Sequence, residues 1–471
     1  MKRTLISLAV LALVVPARAA ETTADVKEVA AKADAYMQAR LKVGKFSGSV
    51  LVAKDGKALF EKGYGLANIE NDVPNTPQTK FRLASVSKQF VATGIMILEH
   101  DGKLKVEDKV CNYLPSCPKA WGDVTLRQLM SHTSGVPENL RVALFKGQWP
   151  QPIDLEHLLD VVKDKPLDFK PGEKYSYSNT GYALLGMVIE KLSGKTYGEF
   201  LRERIFEPLG MTDTGVDDRR LVLKHRANNY GMSKGLFVHA QYIDLSQVYA
   251  AGSLYSTVED LLKWDNALYS EKILPHKSFE RMWTPVKDGY GYGWLSQKRF
   301  DRKIVTHTGG LPGVMTMVVR YPEQKVFVAV LCNLEGSPLA HVSYDLAAIA
   351  LGDPYDVPVE RKEVKVDSKA FDAYVGDYAI NSHLTVTISK SDDALYARFT
   401  DRGKYQIYPE AESKYFSKAL ELTIAFGKLE NGLSGELVLH ENGRDRTGKR
   451  VVREKIPAPK RIDEPTGSKG K

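Results

Sequence analysis

Phe81-Arg-Leu-Ala-Ser-Val-Ser-Lys88 places two serines and a lysine at the start of an apolar run, Lys88 to His100, that has helical spacing and stops at Gly102. A serine hydroxyl attacks a carbonyl only with a base within hydrogen-bond reach. Ser85 and Lys88 stand at i and i+3, positions that share one face in the first turn of a helix. Ser87 adjoins Lys88, and neighbours on a regular helix cannot project together, so Ser85 is the candidate nucleophile. Lysine serves as a base only where burial or a second cation lowers its ordinary pKa of about 10.4. A helix N-terminus acts in the same direction. Taken alone, the spacing also fits a serine N-cap followed by a surface lysine.

Two further clusters lie downstream. "YSYSNTGYALLG" sets Tyr177-Ser178-Asn179 directly before a helical run. A tyrosine hydroxyl can pass a proton between nucleophile, base and leaving group, and an asparagine amide can orient a lysine and a carbonyl. Tyr175 offers the same chemistry two residues earlier, and the residue types alone leave both open. His307-Thr308-Gly309-Gly310 precedes the strand pair "VMTMVVR" and "KVFVAVL". A polar edge with glycines admits a substrate backbone; His307 supplies a polar or partly charged group beside that path. Thr308 can bind a carboxylate or orient the tyrosine.

With "LFEKGYGLAN", "LRQLMSHTSGV", "GMTDTG", "AAGSLYSTVEDLLKW" and "HTGGLPG", these clusters make residues 30–351 resemble the penicillin-recognising serine hydrolases. That family includes serine β-lactamases of the cephalosporinase type (class C), D,D-carboxypeptidases, D-aminopeptidases and related esterases. The resemblance implies Ser85 as nucleophile, Lys88 and Tyr177 as proton carriers, and Asn179 beside them, choosing Tyr177 over Tyr175. It implies substrate binding at His307, Thr308, Gly309 and Gly310. The expected oxyanion hole joins the Ser85 N–H to a donor near Gly313–Met315, with Met315 as the candidate. Family members usually carry lysine where His307 stands. Histidine at this place is similar to D-aminopeptidases and several esterases, which lowers the expectation of β-lactamase activity. The implied reaction is acyl transfer to water on peptides with D-residues, small amides or esters. A carboxylesterase, a weak β-lactamase, or a noncatalytic sensor of peptidoglycan fragments or β-lactams are the alternatives. No metal or organic cofactor is implied.

The fold expected from this reading is α/β (α+β): an antiparallel sheet flanked by helices, an all-helical lobe, and a C-terminal barrel. "VKEVAAKADAYMQARLKVG" reads as a helix, and "FSGSVLVAKDGKALFEKGYGLAN" as two strands about a Lys54–Lys57 turn. "GYGYGWLSQ" reads as a further strand. Thr257 with Asp260 marks a helix start. Residues 354–365 read as a linker, 366–457 as an all-β, lipocalin-like accessory domain, and 458–471 as a tail. The hydrolase domain spans 20–353.

Residues 1–19, with Lys2 and Arg3 before an apolar run and small residues at Ala17 and Ala19, are expected to be a cleaved signal peptide. Export makes the protein periplasmic or secreted and allows Cys111 and Cys117 to pair. Spacing leaves that pairing open. Cys332 reads as a buried apolar residue. The net charge of +8 includes three cations of the leader. No dense Lys/Arg run is interleaved with aromatics, which weighs against nucleic acid as a partner. No integral membrane segment is expected after cleavage. The expected partner is a small molecule or short peptide, peptidoglycan fragments included; the oligomeric state stays open. His132 in "SHTSG" is read as a structural histidine serving backbone groups.

Overall fold

The computed structural model describes residues 23–44, 46–114, 117–381, 384–400, 403–441 and 443–451. The expected leader and the 458–471 tail lie outside the described residues. In chain order, the elements that position the site begin with helix α1 (Thr23–Lys42) and the hairpin β1 (Gly48–Lys54) and β2 (Lys57–Tyr64). Helices α2 (Lys88–His100), α3 (Asn179–Ser193) and α4 (Val258–Ala267) follow. Strands β3 (Leu295–Arg299), β4 (Arg302–Leu311), β5 (Val314–Tyr321) and β6 (Val326–Cys332) then lead to helix α5 (Leu339–Leu351).

These six strands form one antiparallel sheet in the order β3-β4-β5-β6-β1-β2. The two ends of this part of the chain thus meet where β1 pairs with β6, Gly48 opposite Cys332 and Lys54 opposite Val326. Both of those strands are buried along nearly their whole length. Helix α4 packs against β1 and β6, as does α5, and α1 rests against β2 and α5. Continuous apolar sequences such as "VFVAVLC" are what a strand covered on both faces requires.

Helices α2 and α3 pack together, and Phe90, Val91, Ile95, Tyr182, Leu185 and Ile189 of the two helices belong to the apolar core. Thr257 caps α4 by accepting the Asp260 N–H at 3.1 Å, the start its sequence announces. "GYGYGWLSQ" contributes a strand only from Leu295, its glycines forming a turn with Gly289 and Gly293 at positive φ. The chain is α-helical over Tyr197–Leu201 and widens to a π-turn over Arg202–Phe206. Cys111 and Cys117 form a disulfide, and Cys332 is a buried free thiol.

The chain divides into two compact units, Met1–Leu351 and Gly352–Lys471. The second contains a closed eight-stranded barrel: β7 (Gly376–Ala379), β8 (Thr385–Ser391), β9 (Ala394–Phe399), β10 (Gly403–Ala411), β11 (Lys414–Ser417), β12 (Leu422–Phe426), β13 (Glu436–Glu441) and β14 (Arg444–Val451). Each strand pairs antiparallel with the next, and β14 closes onto β7. Alternate residues point inward, among them Val386, Ile388, Leu395, Ala397, Leu437 and Leu439. Residues 354–365 form no helix or strand but run along the barrel, held by Arg361–Glu410, Lys418–Glu363 and His440–Asp356 ion pairs.

A buried ion pair joins two elements of the first unit. Arg320 of β5 and Asp265 of α4 pair at almost zero exposure, with the guanidinium over the Tyr269 and Trp283 rings. Removing one partner strands the other charge. Asp265→Ala is expected to cost about 3–5 kcal/mol, read as a lowered urea midpoint, with much of the loss recovered when Arg320→Met is added.

Candidate active site

The Ser85 segment is not a simple helix start. Ala84–Ser87 make a 3-10 turn that runs straight into α2, whose first residue is Lys88. Ala84 sits at φ 47°, a left-handed conformation costly for a residue with a Cβ. The turn is held from several sides. The Leu83 N–H donates to Leu254 O at 2.7 Å, and the Thr316 hydroxyl donates to Leu83 O at 2.7 Å. Ser87, fully buried, accepts the Leu254 N–H at 3.2 Å. Its hydroxyl is thus a structural pin.

Lys88 is completely buried. Its Nζ lies 3.1 Å from Ser85 Oγ, 2.8 Å from Asn179 Oδ1 and 2.8 Å from the Ala251 carbonyl. It also faces the rings of Tyr177 and Tyr182, at 4.8 and 5.3 Å from their centroids. Burial pushes its pKa down to about 7, with the Glu138 carboxylate pulling the other way. Asn179 and Ala251 offer only oxygen acceptors to the amine. A neutral amine has two N–H bonds, one for each, which leaves its lone pair on the side of Ser85.

Tyr177 and Asn179 arrive together because α3 begins at Asn179. Tyr177 keeps 36% of its surface exposed. Burial of the phenol still raises its pKa, and a hydrogen bond to Ser85 opposes the rise. Tyr175 stands off this group, its ring against His132 and Tyr290. His132 Nδ1 accepts the Ser178 N–H at 3.1 Å, so this histidine serves the backbone at the start of α3. Burial, and then Lys88 and His307, hold it well below the usual imidazole range.

Strand β4 borders the Ser85 turn. β3 pairs only with Arg302–Thr306, and the β3 side of His307–Leu311 is left open. Alternation puts His307 and Gly309 on the buried face and Thr308 and Gly310 on the exposed one. At Gly309 a Cβ would stand 2.2 Å from Leu83 O and 3.1 Å from Ala84 Cβ. Only glycine lets the strand approach the turn this closely.

One expectation is corrected here, and another is narrowed to its polar, uncharged alternative. Met315 lies on β5, an interior strand, opposite Gly310 on one side and Cys332 on the other. Its N–H points toward a neighbouring strand in either case, and not toward Ser85. His307 is not partly charged. Its Nδ1–H donates to Thr308 O at 2.6 Å, since a carbonyl only accepts, and its Nε2 accepts the Tyr290 hydroxyl at 2.7 Å. Burial, reinforced by Lys88, lowers its pKa to about 3.

Three contributors escaped the sequence reading: the Ala251 carbonyl, Tyr290 and Glu138. "AAGS" and "GYGYGW" mark turns without marking what they touch. Glu138 follows "HTSGVP" with no feature that sets it apart. Among the described residues no group of three or more His, Cys, Asp or Glu side chains is placed to hold a metal ion. Among them, too, no helix is long and apolar enough to cross a membrane.

The family model described as "Beta-lactamase" matches residues 30–352. The chain belongs to the beta-lactamase family. Within that family, penicillin-binding protein 4* of Bacillus subtilis (strain 168) is 32% identical over 429 residues, covering 85% of this chain and 94% of that protein. The octameric penicillin-binding protein homologue from Pyrococcus abyssi superposes with a TM-score of 0.66 at 26% identity, over 89% of this chain and 99% of that one. D-amino acid amidase from Ochrobactrum anthropi SV3 gives 0.59 at 27% identity, over 70% and 98%. A domain of unknown function, DUF3471, matches residues 360–450. The beta-lactamase and penicillin-binding-protein fold with a separate C-terminal barrel is therefore the architecture of this chain. Likeness to these proteins supports a serine-hydrolase type of activity on small peptide or amide substrates.

The contact between β4 and the Ser85 turn gives a direct expectation. Gly309→Ala should lower kcat/KM by about 100-fold or more, since a displacement near 1 Å at the reacting groups has that effect. Gly310, where a Cβ meets nothing within 4 Å, should tolerate alanine far better on small esters.

Proposed function

We propose that the chain is an exported serine hydrolase that forms an acyl-enzyme through Ser85 and acts on D-residue peptides, small amides or esters. The observation that carries this reading is the buried Lys88 amine, 3.1 Å from Ser85 Oγ and held by Asn179 Oδ1 and the Ala251 carbonyl, where burial pushes its pKa down to about 7. Neutral Lys88 takes the Ser85 proton as Oγ bonds to the substrate carbonyl carbon. Tyr177 and Lys88 return that proton to the departing amine or alkoxide as the C–N or C–O bond breaks. Water then attacks the carbonyl carbon of the Ser85 ester; its proton passes through Tyr177 and Lys88 to Ser85 Oγ as the C–Oγ bond breaks, and the acid is released. The oxyanion is held by the Ser85 N–H and by an N–H on the open edge of β4, His307–Leu311, in place of Met315.

Neutral His307 bears on substrate choice. With both nitrogens engaged it provides no fixed cation for a substrate carboxylate, which favours amides and esters over β-lactams. A solved relative at 27% identity is a D-amino acid amidase, in keeping with that preference. The leader-like N-terminus and the Cys111–Cys117 disulfide support a periplasmic or secreted location. On this reading residues 20–353 are the hydrolase domain and 366–457 the accessory domain.

A fluorophosphonate probe is expected to label Ser85, mapped by peptide mass analysis. Ser85→Ala should abolish labelling and cut turnover by about 1,000-fold or more. Absence of labelling, together with no turnover across D-aminoacyl amides, D-Ala-D-Ala peptides, short esters and a chromogenic cephalosporin, would sink the proposal. The cephalosporin should be the poorest of the four.

The pH dependence follows from Lys88. The base works when deprotonated, so kcat/KM should rise with pH through a limb near 7 and then level. Lys88→Arg, a group that stays charged throughout, should lose at least about 1,000-fold at every pH. A flat profile from pH 5 to 9 in the wild type would contradict the assignment.

A further inference from the structure

We propose that Glu138 is a positioning residue for this reaction: it fixes the Asn179 amide so that its carbonyl, and not its NH2, faces Lys88. The inference rests on the Ser85 reading above and adds a residue to it. An asparagine amide presents an acceptor on one side and a donor on the other, and its neighbours decide which way it turns. An ammonium only donates, so Lys88 needs the carbonyl.

Glu138 can enforce that choice because a carboxylate only accepts. One oxygen takes the Asn179 backbone N–H at 2.5 Å and the other takes Asn179 Nδ2 at 2.9 Å. The second oxygen also accepts the Leu140 N–H at 3.2 Å. Glu138 therefore satisfies N–H groups at the starts of two helices, Asn139–Phe145 and α3, that have no partner within their own helix. With Nδ2 committed to Glu138, Oδ1 is left for Lys88, at 2.8 Å.

The carboxylate is itself anchored. On its C-terminal side, the Asn139 N–H donates to the Thr180 hydroxyl at 2.8 Å, and that hydroxyl donates to Pro137 O at 2.6 Å. Glu138 is thus tied on both flanks to the first turn of α3.

Its charge has a second effect. The groups around the Lys88 amine are Tyr177, Tyr182, His132, His307 and Glu138. The two histidines are held neutral, and the two tyrosines have raised pKa values. Glu138 raises the Lys88 pKa against burial. It thereby keeps the amine in the range where it both accepts and returns a proton.

Two substitutions separate charge from reach. Glu138→Gln keeps the shape, removes the charge, and turns one acceptor into a donor facing Asn179. Expected are a fall in kcat of about 30-fold or more with KM within about threefold, and an acidward move of the kcat/KM limb by about one pH unit. Glu138→Asp keeps the charge but is too short to hold both contacts. Its limb should stay at the wild-type position while kcat falls about tenfold.

A Glu138→Gln enzyme with kcat within twofold of wild type overturns the proposal. So does a loss of kcat with the limb unmoved, which marks a merely structural role. Where circular dichroism shows that Glu138→Gln fails to fold, Glu138→Asp decides, and kcat within twofold of wild type overturns the inference. Fluorophosphonate labelling of the wild type at Ser85 keeps the two levels apart. An unlabelled wild type removes the Ser85 reading and this inference together, whereas a labelled wild type with unaffected Glu138 variants removes this inference alone.

Discussion

Everything at the site is arranged around the desolvation of one amine. Taking Lys88 out of water disfavours its charged form, and its pKa near 7 records that cost. A residual demand for hydrogen bonds remains, and it is met by elements far apart in the chain: Asn179 at the head of α3 and Ala251 in the turn before Leu254. The Ala251 turn reaches this position because Gly252 has no Cβ. One placed there would stand 3.2 Å from the Ala84 carbonyl carbon and 2.8 Å from a Val248 methyl. The arrangement opposes stability. The folded amine loses its proton near pH 7, whereas an unfolded lysine keeps it to about 10.4. The native state therefore binds fewer protons between those values, and the penalty is full below pH 7 and disappears as pH rises through the unfolded pKa.

The sheet contributes an edge more than a set of side chains. β4 is interior along Arg302–Thr306 and open on one side along His307–Leu311. One strand thus supplies both an anchored half and a half free to pair with an extended substrate. The interior face of that edge is occupied by His307, kept neutral by burial and by Lys88 and hydrogen-bonded to Tyr290 and to its neighbour's carbonyl. A histidine in this setting behaves as a buried hydrogen-bonding spacer. The electrostatic character along this edge therefore depends on backbone dipoles and Lys88, and less on the His307 side chain.

Much of this was legible in the sequence, for identifiable reasons. The SxxK, YxN and HTGG clusters combine residue type with spacing, and the structure brings Ser85, Lys88 and Asn179 into hydrogen-bond contact, with β4 alongside. Strands covered on both faces and the capped start of α4 were readable as pattern. What spacing could not convey was register and partnership. The expectation of a donor near Gly313–Met315 follows from the family resemblance and rests on a register that the sequence does not fix. A tight turn at Gly313, φ 67°, instead folds Met315 back onto the next strand. The charge of His307 depends on burial and on Lys88, neither of which is written in "HTGG". Glu138 acts through a contact with Asn179, 41 residues away, and nothing local to "VPEN" announces it.

The barrel poses a different physical question. An eight-stranded barrel is wide enough either to be filled by its own side chains or to hold one small ligand. Here the interior is taken by large groups: Phe371, Tyr374, Tyr378, Tyr415 and Phe426 lie in one cluster, with the Tyr374 and Phe426 rings stacked at 4.2 Å between centroids. The Arg450 guanidinium donates to the carbonyls of Ala373, Val375 and Ser434 and to the Tyr378 hydroxyl. That network ties the short helix at Ser368–Ala373 to the strand that closes the barrel. A ligand could enter this cluster only by displacing packed aromatics and breaking a charged network, which costs far more than occupying a preformed cavity.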